Sequence, residues 1–258
     1  MKFGIIVFPG SNCDRDIAWV TQGLLKVPTR MIWHEETDLA DLDVIIIPGG
    51  FSYGDYLRCG AIARFSPVMK SVVTHAQQGK IVLGICNGFQ ILTEVGLLPG
   101  VLIRNRDLHF ICDRVSLRVE RTDLPCTQSY SPGQVITLPI AHGEGRYYAN
   151  PHTLKALEDN NQVLLRYCTP EGEINSTANP NGSLNNIAAI TNEEGNVFGM
   201  MPHPERASDP ILGPTDGIKL FQAVTSCRGT AMPCPYQFLA GRRGKLNARY
   251  TPNQLGDW

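Results

Sequence analysis

Short apolar runs separated by residues with helical spacing occupy the first third of the chain. Four runs are rich in Ile and Val and show no alternation with polar residues, which is typical of strands covered on both faces. They comprise residues 3–8, 29–33, 44–48 and 80–85. Apolar positions between the runs recur along one helical face, at Ile17, Val20 and Leu24 and again at Val68, Val72, Val73 and Ala76. Strands that alternate with helices predict a parallel, doubly wound sheet.

The pattern changes in the middle of the chain, where apolar and polar residues alternate. Residues 115–120, VSLRVE, have the two-residue period of a half-buried antiparallel strand, and residues 135–140 and 186–191 are similar. The polar turn that follows predicts that residues 197–201 pair back as a hairpin. A helix is predicted from about residue 215 to residue 226.

These patterns predict one α/β domain over residues 1–226. We expect a mostly parallel central sheet, helices on both faces and an antiparallel extension of the sheet. Residues 227–258 contain several prolines and glycines and a basic cluster, without sustained periodicity. They are expected to form a C-terminal extension, and two alternatives stay open for it: an arm that contacts a surface, or a poorly ordered tail.

The composition limits the kind of partner. The chain has 258 residues and a formal net charge of −1, without a basic run or face, so neither nucleic acid nor a membrane is expected as a partner. No apolar run approaches the ~20 residues of a membrane span, and the N-terminal run is too short for a secretory signal. We therefore expect a cytoplasmic protein with eight reduced cysteines. No C-x-x-C pair indicates a metal site.

Residues 80–90, KIVLGICNGFQ, carry the strongest indication of chemistry, because an apolar strand leads into a glycine-flanked cysteine and then into a helical pattern. Gly84 and Gly88 bracket Cys86 as the glycines of a nucleophile elbow bracket its serine, leaving room for a sharp turn. The thiol would lie at a helix N-terminus, which favours the thiolate. A buried core thiol is the alternative, and the glycine pair favours the nucleophile.

A catalytic cysteine needs a base and, usually, a carboxylate that orients the base. His203 follows the predicted strand 197–201 in the run MPHPE, at a strand end where α/β proteins place their sites. Pro204 biases His203 toward extended backbone, in which side chains two apart project to the same side. Glu205 is therefore expected to contact the imidazole. An ordinary turn histidine between two prolines is the alternative.

An acyl-transfer site also needs donors for the developing oxyanion. The amide of Asn87, directly after the nucleophile, is one candidate, and the glycine-containing loop 48–54 can supply a second. Gln90 lies four residues after Cys86, on the same face of the predicted helix, and is a candidate substrate contact. The neighbouring residues 53–58 form either an ordinary exposed loop or a surface that faces a partner or a channel mouth.

Together these motifs resemble those of the class I, triad-type glutamine amidotransferases. The resemblance rests on GICNGFQ at 84–90 and HPE at 203–205. Four longer motifs are similar to the glutaminase subunits of phosphoribosylformylglycinamidine synthases: FPGSNCD at 8–14, PGGFSYGDYLR at 48–58, AHGEGR at 141–146 and MPHPER at 201–206. The similarity covers residue 2 to about residue 226 and implies the flavodoxin-like fold of class I glutaminases.

The resemblance implies a glutaminase that releases ammonia from glutamine for de novo purine biosynthesis. Cys86 would attack the side-chain amide, His203 would relay the proton and Glu205 would orient His203. The oxyanion would be stabilised by Gly50 and Asn87. Residues that would hold the amino-acid end of glutamine are Gln90, His142, Gly143, Glu144 and Gly145. The loop 142–145 could also be a flexible connection.

The resemblance also implies partners for the chain. A large synthetase subunit would aminate formylglycinamide ribonucleotide with ATP and Mg²⁺, and a small accessory subunit would join the complex. The chain contains neither a P-loop nor a G-x-G-x-x-G fingerprint, so no cofactor is expected on it. Three alternatives stay open: a glutaminase for another acceptor, another cysteine α/β hydrolase with the same elbow, and a catalytically silent module that binds a synthetase.

Overall fold

A computed structural model describes residues 1–226 of the chain. The strands are β1 Phe3–Val7, β2 Thr29–Trp33, β3 Val44–Ile47, β4 Ile81–Ile85, β5 Val101–Ile103, β6 Ile111–Val119, β7 Val135–His142, β8 Arg146–Tyr148, β9 Val163–Tyr167, β10 Ile187–Thr191 and β11 Val197–Met200. The α-helices are α1 Asp14–Ala18, which continues as a π-helical turn over Trp19–Leu24, α2 Pro67–Gln77, α3 Asn87–Glu94, α4 Pro151–Asp159 and α5 Ile218–Ser226. Nine strands form one sheet in the order β2-β1-β3-β4-β11-β10-β9-β6-β7, and β5 pairs with β8.

The sheet has a parallel part and an antiparallel part. Strands β2, β1, β3, β4 and β11 pair in parallel, and the remaining pairs of the large sheet are antiparallel. Every residue of β3 and β4 is buried. Strands covered on both faces have no side that requires polar residues, which explains their continuous apolar sequences. The predicted fold class, a mostly parallel α/β sheet with an antiparallel extension, is confirmed.

The hairpin of β10 and β11 joins the two parts of the sheet. β11 pairs antiparallel with β10 and parallel with β4. Its register places Met200 opposite Ile85, so the residues that follow these two strands leave the sheet at neighbouring positions of one edge. Chain segments more than a hundred residues apart in sequence therefore meet where α/β folds place their sites.

Strand β9 and helix α4 were missed in the sequence. β9 lies between β10 and β6 and is buried at four of its five positions, so the antiparallel strands extend the same sheet. The helix predicted from about residue 215 begins at Ile218. None of the helices within residues 1–226 is long and apolar enough to cross a membrane. The predicted C-terminal extension, residues 227–258, lies outside the described residues.

Buried His75 on α2 is expected to make the fold sensitive to acid. Burial, together with the charge of Lys80, lowers the pKa of His75 to about 4. An unfolded histidine takes up its proton near pH 6.5, so the free energy of unfolding falls as the pH drops from about 6.5 toward 4. We expect His75→Gln to reduce the loss of unfolding free energy between pH 7 and pH 5 by about 2 kcal/mol.

Urea denaturation at both pH values measures this difference. The exposed His152 supplies a matched control, because His152→Gln should leave the acid-induced loss unchanged. Equal losses in the wild type and the His75 variant would contradict the assignment.

Candidate active site

Cys86 occupies a strained turn between β4 and α3. Its backbone has φ +51° and ψ −106°, a conformation that L-residues rarely adopt. Glycines make this turn possible: a Cβ on Gly88 would lie 2.0 Å from Ile47 O, and one on Gly84 would lie 2.6 Å from Gly88 O. The sharp strand-to-helix turn expected from the sequence is present, with the thiol directly before the first residue of α3.

His203 follows β11 and pairs with Glu205 in the protein interior. Its Nδ1 lies 2.6 Å from Glu205 Oε1, and both residues are 2% exposed. The His203 amide donates to Pro139 O at 2.8 Å, which fastens the residue to β7. The contact with Glu205 agrees with the expectation, but its backbone basis was wrong. Pro204–Ala207 form a 3₁₀ turn that begins with the proline, so Glu205 reaches the imidazole from a helical turn rather than an extended segment.

The carboxylate of Glu205 controls the protonation of His203. Burial by itself would lower the pKa of His203, because the charged imidazole loses its hydration. The negative charges of Glu205 and of the Cys86 thiolate outweigh burial and raise the pKa of His203 well above its usual value. The site therefore favours the protonated imidazole, which can donate a proton during cysteine catalysis.

His203 and Cys86 approach a common point beside Gly49, which follows β3. A Cβ on Gly49 would lie 2.7 Å from His203 Cε1 and 3.4 Å from Cys86 Cβ, so it would press on the imidazole and be in ordinary van der Waals contact with Cys86. Nε2 of His203 is buried and has no hydrogen-bond partner within residues 1–226. Since Nδ1 is held by Glu205, Nε2 is the nitrogen that remains for proton exchange with the thiol and a substrate.

The predicted oxyanion donors are the backbone amides of Gly50 and Asn87. Gly50 has φ +143°, a conformation that favours glycine, and Gly49 O accepts from the amides of Asn12 and Cys13, each at 3.2 Å. Asn87 is the first residue of α3, where amides lack helical partners. No hydrogen bond from the Gly50 or Asn87 amide occurs among residues 1–226. Both amides are available as donors.

The side chain of Asn87 ties the elbow to the turn Ser52–Asp55. Its Oδ1 accepts from the amide and the hydroxyl of Ser52, and its Nδ2 donates to Asp55 Oδ1 at 3.2 Å and to Gln90 Oε1 at 2.9 Å. Tyr53 and Asp55 have positive φ, a conformation that persists only when its surroundings hold it. This support was missed in the sequence, because it joins residues 35 positions apart.

The structure brings Gln90 together with the loop 142–145. Gln90 Nε2 donates to Glu144 O at 2.6 Å, and the Gln90 side chain is also the acceptor for Asn87. Gln90 is 5% exposed. The loop and helix α3 therefore form one continuous hydrogen-bonded wall beside Cys86.

Asn105, which was missed in the sequence, supports this loop. Its Oδ1 lies 3.1 Å from His142 Nδ1 and accepts a hydrogen bond from the Gly145 amide at 3.0 Å. The backbone N–H of Asn105 donates to Gly143 O. Burial, reinforced by the charge of His203, lowers the pKa of His142 to about 4, so the ring is neutral at pH 7. Its buried Nε2 has no partner within residues 1–226 and can be satisfied by a bound molecule.

A cavity of about 620 Å³ opens beside the His203–Glu205 pair. Its lining is mainly apolar and includes Trp19, Ile140 and Leu212, whereas Cys86 does not line it. His203 and Glu205 can therefore be approached from a side that does not include Cys86.

The chain matches the family model of the CobB/CobQ-like glutamine amidotransferase domain over residues 1–222. Because this match includes most of the chain and all the site residues described above, the chain belongs to this family of glutamine amidotransferases. The family predicted from the sequence motifs is confirmed.

Individual relatives are more specific than the family model. The chain is 73% identical over 224 residues to phosphoribosylformylglycinamidine synthase subunit PurQ of Acaryochloris marina, covering 87% of this chain and 95% of that protein. The subunit of the same name from Synechocystis sp. is 70% identical over 220 residues, covering 85% and 98%.

Solved structures also match. A chain in the structure of PurLQS from Thermotoga maritima is 42% identical with a TM-score of 0.77, covering 87% of this chain and 97% of that chain. The glutaminase domain of Trypanosoma brucei CTPS, at 15% identity and a TM-score of 0.54, covering 88% of this chain and 94% of that chain, shares the fold.

Proposed function

We propose that Cys86, His203 and Glu205 hydrolyse glutamine to glutamate and ammonia in this chain. The observation that carries the proposal is the buried 2.6 Å contact between His203 and Glu205 next to a cysteine on a strained elbow. A core thiol or a turn histidine requires neither the strain nor the buried carboxylate. The function predicted from the sequence, a glutaminase subunit of phosphoribosylformylglycinamidine synthase in purine biosynthesis, is confirmed by the relatives.

The geometry supports a two-step mechanism. Cys86 Sγ attacks the side-chain carbonyl carbon of glutamine, and His203 transfers a proton to the nitrogen that leaves as ammonia. The amides of Gly50 and Asn87 stabilise the oxyanion. Water then adds to the thioester with His203 as the base, glutamate leaves and the Cys86 thiol is restored. Glu205 holds the His203 tautomer and stabilises its positive charge in both steps.

The substrate's amino-acid end is assigned to the wall formed by α3 and the loop 142–145. Gln90 and Glu144 are already hydrogen-bonded to each other, so the wall is organised before glutamine binds. In the neutral His142 the ring proton is on Nδ1, which donates to Asn105 Oδ1, so Nε2, unpaired within residues 1–226, can accept a hydrogen bond from the ammonium group of glutamine. Gly143 and Gly145 contribute backbone groups without a side chain that would fill the space.

We assign the ammonia produced here to a large synthetase subunit, assembled with a small accessory subunit. That subunit would bind ATP and Mg²⁺ and convert formylglycinamide ribonucleotide to formylglycinamidine ribonucleotide. The named relatives, including the chain in PurLQS, support this assembly. A cytoplasmic location fits a catalytic thiol and five further free cysteines among residues 1–226.

Isotope transfer tests the whole assignment. The chain is mixed with the two other subunits, formylglycinamide ribonucleotide, ATP, Mg²⁺ and glutamine labelled with ¹⁵N in its side-chain amide. We expect the label in formylglycinamidine ribonucleotide. Release of labelled ammonia with no labelled product would contradict the acceptor, whereas the absence of label from both ammonia and product would contradict the glutaminase chemistry.

The exposed loop after the turn Ser52–Asp55 is the surface that we assign to the synthetase. Leu57 is 94% exposed and Tyr56 is 75% exposed, while Asp55, just before them, is held by Asn87. A partner that covers this loop would act on residues tied to the elbow. Exposed apolar residues of this kind are typical of protein interfaces.

We therefore expect weak glutaminase activity from the isolated chain and a rise of about tenfold or more on adding the synthetase. Leu57→Asp should abolish most of this rise and leave the basal rate unchanged, because the Leu57 side chain is 94% exposed and none of the steps assigned above uses it. The matched control is Ile211→Asp, since Ile211 is 89% exposed on a different segment. Ammonia release with and without synthetase measures the effect. Full activity of the isolated chain would contradict the coupling.

A further inference from the structure

A second buried thiol, Cys13, lies against the base of the site. Its Sγ is 3.8 Å from His203 Nδ1, and the residue is 2% exposed. Cys13 belongs to the FPGSNCD motif, and none of the steps assigned above uses it. The contact between Cys13 and the His203 imidazole therefore has a role that the proposed reaction steps do not explain.

Cys13 also contacts the loop that carries the oxyanion donor. Its amide donates to Gly49 O at 3.2 Å, and a Cβ on Gly49 would lie 3.0 Å from Cys13 Sγ. On the other side of the thiol, Arg206 Nη2 donates to Sγ at 3.2 Å while Arg206 Nε donates to Asp16 Oδ2. The thiol is therefore fixed from two directions, by the oxyanion loop and by the residue that follows Glu205.

We infer that Cys13 is a positioning residue that fixes the His203 ring relative to Glu205 and the oxyanion loop. Sulfur is a weak hydrogen-bond acceptor, so at 3.8 Å it does not compete with Glu205 for the Nδ1 proton. It fills the space next to Nδ1 and excludes water that would otherwise hydrogen-bond there. The ring can then rotate neither toward Gly49 nor away from Glu205.

Two other roles for Cys13 fit the contacts less well. As a second nucleophile it would have to exchange a proton with Nε2, but it contacts Nδ1, the nitrogen already bonded to Glu205. As a metal ligand it has suitable neighbours, since ligand atoms of Cys13, His203 and Glu205 all lie within 4.8 Å of one another. However, the Arg206 guanidinium donates to the sulfur, and a fixed cation there opposes a metal ion.

The inference rests on the proposed glutaminase chemistry and is tested in the reconstituted complex with Cys13→Ala and Cys13→Ser. Cys13→Ala opens space beside Nδ1, and Cys13→Ser places a stronger hydrogen-bonding group there. Because a small displacement of a catalytic group is costly, we expect kcat for glutamine hydrolysis to fall about 10- to 100-fold in both. KM for glutamine should change less than about twofold, because neither variant touches the substrate wall.

Alkylation of Cys86 by iodoacetamide as a function of pH separates positioning from mere stability. A displaced imidazolium stabilises the Cys86 thiolate less, so the onset of alkylation should move to higher pH by about one unit. Cys168→Ala, which removes a buried thiol away from the site, is the matched control and should shift neither kcat nor the onset. If Cys13→Ala fails to fold, the same two measurements, kcat and the pH at which alkylation begins, are made with Cys13→Ser.

The outcomes are distinct. Wild-type kcat and alkylation onset in a folded Cys13 variant would overturn the inference and leave the glutaminase assignment intact. A wild-type complex that releases no ammonia from glutamine would instead overturn the proposed function.

Discussion

Cys86→Ala is expected to lower glutamine-dependent ammonia release by at least about 10³-fold. The reason is that covalent attack on the amide carbon has no substitute in the site. Cys13, the nearby thiol, contacts the wrong nitrogen of His203 to be activated as a nucleophile. Ammonia is measured with the purified complex, and glutamine binding should persist because the wall of Gln90 and the loop 142–145 is unchanged.

External ammonia supplies the control for this variant. If Cys86 acts only in releasing ammonia, the mutant complex should still aminate formylglycinamide ribonucleotide at the wild-type rate when ammonium chloride replaces glutamine. Loss of both reactions would indicate a damaged complex. Ammonia release from glutamine that survives the substitution would show that Cys86 is not the nucleophile.

Glu205→Gln is expected to lower kcat by about 10²- to 10⁴-fold, because an amide can hold the wrong tautomer of His203 and cannot stabilise the imidazolium. The substitution also changes the pH dependence. Glu205 is a principal cause that raises the pKa of His203, and burial, which lowers it, would act with less opposition in the variant. The imidazolium would then lose its proton at a lower pH than in the wild type.

The pH profile of kcat/KM measures this effect, and its alkaline limb should move to lower pH in Glu205→Gln. Glu158→Gln is the matched control, because Glu158 pairs with Arg166 away from the site, and its profile should be that of the wild type. An alkaline limb that does not move would mean that Glu205 does not set the charge of His203.

The sequence was sufficient for the parts of the site that depend on local patterns. The glycines around Cys86 predicted the elbow, and the run MPHPE predicted the contact between His203 and Glu205. Each motif lies within a few residues of a strand end, so a short stretch of sequence was enough to identify it. Strands β1, β3 and β4 were predictable for the same reason, since continuous apolar runs such as 44–47 identify strands buried on both faces. The expectation was wrong for β2, which is buried only at Ile32.

What the sequence did not predict depends on contacts between distant segments. Asn105 supports the loop 142–145, although it precedes His142 by 37 positions in the sequence. The residues next to Asn105 in the sequence do not indicate this role. The sequence predicted a role only for the backbone amide of Asn87, as an oxyanion donor. In the structure, the Asn87 side chain also forms hydrogen bonds with Ser52 and Asp55. Nothing in the sequence around Cys13 connects it with His203, and only the folded chain brings the two residues, 190 positions apart, into contact.

The insertion of β11 beside β4 has a consequence for biosynthesis on the ribosome. Cys86 and Gly50 are translated within the first 90 residues, but His203 and Glu205 follow β11, the strand that completes the parallel part of the sheet. A nascent chain that has not yet added β11 to the sheet holds a cysteine with no base. We therefore expect glutamine hydrolysis to begin only after nearly the whole domain has emerged and folded.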